Sequence, residues 1–584
     1  MPAPGSIRCD SCLERPMSTS DRIRALGLAL SLLGCGGSAR FHLRPPVTHD
    51  PDQKPFSPAP EVYESPWAWD AMNQTLFRPI ARFFAFDPAE RAINANAYDE
   101  VPNSSWFQNR LGFIPFDAAA VERGSCEGPP LDPHMPDGSW IIDKGKDNGA
   151  NPGFRVNIPG VGKFMLKSDL PDEPERATGA TAIASRMYYA AGYYAPCDSV
   201  VYFRPSLLTL KAGLTVTNNQ GVTRRFDNAA LQEILDGASH RDGLVRMVAS
   251  AWLPGAPLGP YKYDGRRDDD PNDAIDHEDR RELRGGRLLA AWLNHFDSRE
   301  QNTMDVFLPA DPARKDGPGY VRHYIIDLGD SFGSIWSIDG FSRLFDNAYM
   351  FDVGYIAEDF VTLGIVARPW EKRERRGGIF NYFAETYFDP EGWRGEYPNP
   401  AFLRMTEADG AWMARILGRF DDRLVAAAVG VGKFEPAASE YLTRTLIARR
   451  QRLLARYLRR LSPLANVAVE STRLCALDVA RHAHLVPLDV QPRARIFRGK
   501  ELDQVSKVAV ELAGEDRLCV TLAHAFPDAQ PGQSARDRYV VVEITNGQAQ
   551  GPLRAHLYDL GPNSGFRLVG IERPESAGEN LPTF

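Results

Sequence analysis

The sequence predicts an α+β protein with a two-lobed body and a β-rich, sandwich-like C-terminal domain. Residues 138–203 alternate short strand-like runs with glycine turns and include one breaker-free stretch with helical spacing. Residues 401–464 carry apolar side chains at helical spacing almost throughout. After Pro463, short β-type runs alternate with turn clusters over about 120 residues, a texture typical of a sandwich.

The composition is that of an ordinary globular protein. The chain has 584 residues, of which 43% are hydrophobic and 25% charged, a length that allows roughly three or four domains. Its net charge of -8 and pI near 5.9 give no basic face, so we expect no nucleic-acid partner. No apolar run approaches the ~20 residues that a membrane-spanning helix needs.

Residues 1–35 are predicted to be a lipoprotein signal peptide. Two arginines precede the apolar run Ala25–Leu33, which ends in small residues. The segment Leu32-Leu33-Gly34-Cys35 resembles the bacterial lipobox. That resemblance implies cleavage before Cys35 and a lipid on its sulfur, hence export to the bacterial cell envelope and membrane contact through an N-terminal lipid. The alternative is a buried amphipathic helix followed by a glycine turn.

The next two segments are predicted to precede the folded body. Residues 36–66 are rich in Pro, Asp and Ser, which predicts a flexible tether. Residues 67–137 mix aromatic side chains with loops and are expected to pack on the core as an N-terminal extension. An exported chain can form disulfides, so Cys475 and Cys519, both in the C-terminal region, either pair or remain two buried thiols.

Residues 138–255 are predicted to form a lobe that binds phosphate. A strand around Trp140 leads into a glycine-rich loop that contains Gly145, Gly149 and Gly153. Glycines let a backbone close over phosphates, and the next strand ends in Lys167, a candidate phosphate partner. A predicted helix and another strand follow.

Residues 256–464, predicted to be mostly helical, carry the second part of the site. Asp297 is followed after four residues by Asn302, and an apolar strand then ends in Asp327. Phosphoryl transfer needs one carboxylate to orient the attacking hydroxyl, and an amide oxygen and a second carboxylate to hold Mg²⁺. The alternative is a helix end running into a polar turn, with Asp327 capping a strand.

This arrangement resembles the protein-kinase-like superfamily, in particular its divergent HipA-type, CotH-type and secreted branches, and a group of bacterial lipoproteins of the same layout. The segments that carry the resemblance are 100–107, 177–180, 294–299 and 397–402. The resemblance implies a kinase-like core that binds Mg²⁺ and ATP. It makes Lys167 the phosphate-pairing lysine, Asp297 the base, and Asn302 and Asp327 the metal ligands. Thr181 stands where the family has a glutamate that holds the lysine.

Three functions follow from these residues. The first is transfer of phosphate from a nucleotide to a hydroxyl acceptor. The second is a catalytically inactive, pseudokinase-type lipoprotein that binds a ligand or an envelope partner. The third is hydrolysis, because residues 329–333 spell G-x-S-x-G around Ser331, although the following residues form a poor helix. His295 and His323 match no zinc-site spacing.

Overall fold

A computed structural model describes residues 40–576 apart from short internal stretches. The stretches left out are 86–89, 129–130, 147–150, 218–221, 315, 334–338, 376–377, 500–501 and 531–534. Cys35 and Gly149 therefore lie outside the described residues. The described part mixes helices with several sheets and ends in a β-rich region, as the sequence predicts.

Residues 40–66 lie against the folded body. Arg40 forms an ion pair with Glu572 near the other end of the chain. Phe56 and Gly319 form an isolated antiparallel bridge. The described residues 40–66 of the predicted flexible tether therefore contact the folded body. The prolines keep this segment extended, but its polar groups find partners on the body instead of remaining in water.

A helical segment follows, made of α1 (Trp67–Met72), a π-helical turn (Asn73–Phe77) and α2 (Arg78–Ala85). Helix α3 (Ala118–Arg123) starts where the Asp117 side chain accepts a hydrogen bond from the Ala120 amide, 2.9 Å away. Among the described residues, no helix combines the length and apolar character that crossing a bilayer requires.

The first large sheet lies between residues 140 and 251. Its region contains β1 (Trp140–Gly145), β2 (Gly153–Ile158), β3 (Gly162–Lys167), α4 (Arg176–Ala191), β4 (Asp198–Phe203), a 3₁₀ turn (Pro205–Leu207), β5 (Leu208–Leu210), β6 (Thr215–Thr217), β7 (Thr223–Arg225), α5 (Asn228–Gly237), β8 (His240–Arg241) and β9 (Leu244–Ala251). The strand order is β4-β9-β3-β2-β1-β5, with β8 on β9 and a separate β6–β7 hairpin. Leu166 packs on one face against α5. Lys167 leaves from the other face, because side chains alternate along a strand.

The second sheet is smaller and follows directly. Its region contains β10 (Ala256–Gly259), a 3₁₀ turn (His277–Asp279), α6 (Arg281–Leu293), a 3₁₀ turn (Glu300–Asn302), β11 (Thr303–Pro309), β12 (Gly319–Ile325) and a 3₁₀ turn (Leu328–Asp330). The strands β11 and β12 form an antiparallel hairpin, and β10 pairs with β11.

The rest of the middle region is mostly helical. It contains α7 (Asp339–Leu344), α8 (Val353–Thr362), 3₁₀ turns (Pro369–Lys372 and Gly378–Phe380), α9 (Pro400–Leu403), α10 (Glu407–Leu417), α11 (Asp422–Gly430) and α12 (Pro436–Tyr457). Leu442, Leu446 and Leu453 of α12 are buried. They share one core with α4 and α6, which fixes the first sheet's helix against the helical region.

The C-terminal region consists of two antiparallel sheets that share a core. It contains β13 (Leu464–Glu470), β14 (Arg473–Asp478), α13 (Val479–His482), β15 (Arg493–Arg498), β16 (Gln504–Val508), β17 (Val510–Ala513), β18 (Arg517–Thr521), a 3₁₀ turn (Arg536–Arg538), β19 (Tyr539–Thr545), β20 (Leu553–Asp559) and β21 (Phe566–Glu572). Cys475 and Cys519 face each other on β14 and β18 and form a disulfide. Of the two outcomes that the sequence left open, a disulfide or two buried thiols, the structure therefore has the disulfide. A second disulfide, Cys126–Cys197, was not predicted.

Candidate functional site

The hairpin of β11 and β12 brings Asn302 and Asp327 together. Asn302 directly precedes β11, Asp327 lies two residues after β12, and the register pairs Thr303 with Ile325. The Ile326 amide donates a 2.9 Å hydrogen bond to the Asn302 carbonyl, which extends the pairing to the site. Residues 25 positions apart along the chain thus become neighbours because an antiparallel hairpin closes on itself.

Asp297 joins this pair through the side chain of Asn302. The Asn302 amide nitrogen donates to Asp297 Oδ2, and also to the Asp297 carbonyl at 2.9 Å. His295 Nε2 lies 3.2 Å from Asp297 Oδ1 on the other side. The Asp297 side chain is only 6% exposed, so its carboxylate is held in a fixed position and largely shielded from solvent.

Lys167 reaches Asp327 across the gap between the first sheet and the hairpin. Its Nζ donates a 2.6 Å hydrogen bond to Asp327 Oδ1. Burial would lower the pKa of Lys167, but the Asp327 carboxylate outweighs burial and raises it. Although the cleft partly desolvates the Asp327 carboxylate, the Lys167 and Lys146 ammonium groups together hold its pKa at about 2. The Asp327 side chain is 45% exposed, so the pair lies at an accessible place in the cleft.

Asp330 ends the 3₁₀ turn that follows Asp327 and adds another carboxylate to the candidate site. Burial raises the pKa of Asp330 to about 7, with the Asp297 and then the Asp327 carboxylate adding to the rise. Arg176, whose Nη2 is 3.7 Å from Asp330 Oδ1, and Arg299 oppose it. Asp327 directly precedes the 3₁₀ turn that ends at Asp330, so these two carboxylates lie beside one turn. The sequence analysis did not single out Asp330.

Lys146 is a further cation of the cleft that the sequence analysis did not name as a site residue. Its Nζ donates to the Asn151 carbonyl at 2.7 Å and so closes the loop between β1 and β2. Burial and the neighbouring Lys167 lower the pKa of Lys146 to about 8. Lys146 therefore lies beside a second lysine, and no carboxylate among the described residues forms an ion pair with it, which suits an anionic ligand.

The glycines of this loop have packing reasons of their own. A Cβ on Gly153 would come within 2.2 Å of the Leu166 carbonyl on the paired strand. A Cβ on Gly145 would approach Val216 and Phe226 at 2.6 and 2.8 Å. A phosphate-binding role for Gly145 and Gly153 therefore stays a prediction, and Gly149 lies outside the described residues.

Helix α4 offers no carboxylate to Lys167. Thr181 is buried, and its hydroxyl donates to the Ala177 carbonyl at 2.8 Å. Glu173, just before the helix, is hydrogen-bonded by Arg176 Nε at 2.9 Å. Thr181 stands where the resemblance implies a glutamate, and its hydroxyl lies against the turn after Asp327. A Cβ added to Gly329 in that turn would come within 3.1 Å of Thr181 Oγ1.

Asp198 supplies a buried carboxylate near Lys167 instead. It pairs with Ser250 on β9, and Ser250 pairs with Met165, two residues before Lys167 on β3. By strand alternation, Asp198 and Lys167 leave the same face of the sheet. Burial raises the pKa of Asp198 to about 6, although a hydrogen bond from Ser250 and the positive charge of Lys167 both lower it. Its Oδ1 has no hydrogen-bond partner within the described part of the chain.

The candidate residues fit Mg²⁺ only together with phosphate oxygens. No group of three or more His, Cys, Asp or Glu side chains suited to a metal occurs among the described residues. The Asn302 side-chain nitrogen already donates to Asp297, so the Asn302 side-chain oxygen is the atom that could bind a metal ion. With Asp327 this gives two protein oxygens, and Mg²⁺ typically takes one or two carboxylates and fills its remaining positions with water and phosphate oxygens.

The hydrolase alternatives lack the necessary geometry. Ser331 is fully buried, whereas a nucleophile elbow exposes its serine. His295 contacts the Tyr188 hydroxyl at 2.9 Å, while His323 contacts Asp305 at 2.6 Å. The two histidines thus belong to separate hydrogen-bonded groups.

A large cavity of about 1190 Å³ lies elsewhere. It is lined by residues near the Cys126–Cys197 disulfide and Trp252 and contains none of the site residues above. Arg186, a buried cation of its lining, already donates to the carbonyls of Glu122 and Asp198. We therefore locate the site by the convergence of charged groups and not by cavity size.

Comparison with known proteins gives no match to any protein family, any curated protein or any solved structure.

Proposed function

We propose that this chain is an exported, lipid-anchored, kinase-like protein that binds Mg²⁺-ATP and transfers phosphate to a hydroxyl acceptor. The observation that carries the proposal is the convergence of Lys167, Asp297, Asn302 and Asp327 from three separate segments of the chain. The order of strand, glycine loop, strand with lysine, helix and strand in residues 140–203 supports the same conclusion.

Each residue has a role that its surroundings allow. Lys167 and Lys146 would bind phosphate oxygens, and Asn302 and Asp327 would hold Mg²⁺, which neutralises phosphate charge. Because Lys167 and Asp327 hydrogen-bond each other, ligand binding must separate them, with Lys167 turning to phosphate and Asp327 to the metal. Asp297 would take the proton of the acceptor hydroxyl as the new oxygen–phosphorus bond forms and the bond to the leaving diphosphate oxygen breaks.

Asp198 would hold Lys167 once Asp327 turns to the metal. A lysine ammonium has three donors, of which Asp327 accepts one. The unpaired Asp198 Oδ1 is the complementary acceptor on the same face of the sheet. In this arrangement a strand carboxylate does the work that Thr181 cannot do from the helix.

Two disulfides support the proposed location. Cys126–Cys197 and Cys475–Cys519 fit an oxidising compartment such as the cell envelope. The lipid anchor at Cys35 remains part of the proposal.

A second candidate is a pseudokinase-type lipoprotein that binds nucleotide or another ligand without transfer. It is favoured by the shielding of Asp297, whose side chain is 6% exposed, and by Thr181. In this case the Lys167–Asp327 side of the cleft would still bind phosphate and metal, while no acceptor would reach Asp297.

The test measures binding first and transfer second. Calorimetry with ATP is run with Mg²⁺ and with EDTA on the wild type, Asp327→Ala and the exposed control Asp268→Ala. We expect Mg²⁺-dependent binding that Asp327→Ala abolishes and Asp268→Ala leaves unchanged. Equal binding by Asp327→Ala, or none by the wild type, would refute the site. Labelled-phosphate transfer that Asp297→Asn removes supports the kinase, and binding without transfer supports the second candidate.

A further inference from the structure

The helical segment of α1, the π-helical turn and α2 presents its apolar side outward. Trp69 is 61% exposed, Met72 53%, Leu76 44% and Ile80 51%. Their spacing of three and four residues places these four side chains on one stripe of the helix. A stripe of large apolar side chains on the surface marks an interaction site.

The inward side of the same segment is polar. Asp70 and Gln74 are buried, and Asp70 accepts hydrogen bonds from the Tyr397 hydroxyl and, at 3.4 Å, from Gln301 Nε2. A surface helix normally buries its apolar stripe and exposes its polar one. This segment does the reverse, so its hold on the body comes from hydrogen bonds and its apolar stripe is left for something else.

We propose that the stripe Trp69–Met72–Leu76–Ile80 lies in the interfacial layer of a lipid bilayer. Interfacial helices carry tryptophan and long apolar side chains on the face that enters the headgroup boundary. Since no helix in the described ranges is long and apolar enough to cross a bilayer, the contact is a helix lying along the surface.

The N-terminal end of the chain argues for a bilayer over a protein partner. If Cys35 carries a lipid, five residues lead from it to Arg40, a reach of at most about 18 Å at ~3.5 Å per residue. Arg40 is already bound to Glu572 of the folded body. The body would therefore lie close to the membrane, where an outward apolar stripe gains by entering the interface. This inference does not depend on the proposed kinase activity.

The stripe also lies next to the candidate site. Gln301, which binds Asp70, immediately precedes Asn302. The Tyr397 hydroxyl donates to both Asp70 and Gln301, the latter at 3.0 Å. Membrane contact and the metal-binding residue are thus connected through one hydrogen-bonded group.

The test uses the mature chain with Cys35→Ser, which removes the lipid and leaves the helix as the source of affinity. Co-sedimentation with phosphatidylethanolamine–phosphatidylglycerol vesicles is compared with Trp69→Ser/Leu76→Ser in the same background. We expect the double variant to bind at least about tenfold more weakly, because burying one large apolar side chain changes an equilibrium by about tenfold or more. The matched control is Phe360→Ser/Leu363→Ser on and beside α8, where the side chains are 83% and 85% exposed.

Unchanged binding of the control and unchanged thermal melting of both variants support the assignment. Equal loss in both variants would assign the binding to general surface hydrophobicity and overturn it. Absence of binding by the Cys35→Ser chain would also overturn it. So would a concentration-dependent dimer by light scattering that the Trp69→Ser/Leu76→Ser variant abolishes, since the occupant would then be a second copy.

Discussion

Replacing Asp330 with Asn tests whether three carboxylates share the cleft. The folded protein holds the pKa of Asp330 at about 7 against an ordinary value of 3.8. Between these two values the folded state keeps a proton that the unfolded state has lost. Stability must therefore fall as pH rises from about 4 to about 7, and the loss is complete above pH 7.

The size of the effect follows from the same values. Ionising one carboxyl whose pKa rises from 3.8 to about 7 lowers stability by at most about 4 kcal/mol, at about 1.4 kcal/mol for each pH unit. Since Asp297 and Asp327 share the repulsion, we expect about 1–3 kcal/mol. At about 2–4 °C per kcal/mol for a domain of roughly 150–250 residues, that corresponds to a melting shift of about 2–12 °C.

The assay compares thermal melting of the wild type and Asp330→Asn at pH 5 and pH 8. At pH 8 the variant should melt higher, because it removes an ionised carboxylate from the cluster. At pH 5 only roughly 40% of this loss has developed, because pH 5 lies that far along the interval from 3.8 to about 7, so the variant's advantage should be less than half of that at pH 8. Asp268→Asn, an exposed carboxylate, is the control. An equal shift at both pH values would refute the reasoning, since a packing change does not depend on protonation.

Three further predictions follow from other parts of the chain. Asp198→Asn should weaken Mg²⁺-ATP binding about three- to tenfold by calorimetry while Asp198→Glu retains most of it; equal affinities for all three proteins would contradict its role at Lys167. Reducing Cys126–Cys197, or replacing both with Ser, should lower stability by up to about 4 kcal/mol, because the bond closes a loop of 71 residues; an unchanged melting temperature would show that the loop contributes nothing. Cys35→Ser in a bacterial host should leave the chain without lipid by mass spectrometry; an acylated mass would place the modification elsewhere.

The sequence predicted those features that local patterns specify. The buried stripe of Leu442, Leu446 and Leu453 follows from helical periodicity, which sets which side chains share a face. The β-rich C-terminal region follows from strand-length apolar runs and turn residues. The sequence analysis grouped Asn302 with Asp327 by their chemistry, and the hairpin of β11 and β12, which it did not predict, makes the two residues neighbours.

The remaining site residues depend on contacts between distant segments. Lys146, Asp198 and Asp330 look like ordinary surface residues in the sequence. Their perturbed pKa values arise because the tertiary fold buries them beside other charges. No local pattern encodes such burial.

The sequence by itself determined which segments form strands and helices, and which residue types are available for phosphate and metal chemistry. Only the tertiary structure decided which face of each element turns inward. The segment 67–85 shows this most clearly, because its polar residues Asp70 and Gln74 turn inward and its apolar stripe outward. Helical periodicity defines two faces, but the groups already present on the body, here Tyr397 and Gln301, select the one that packs.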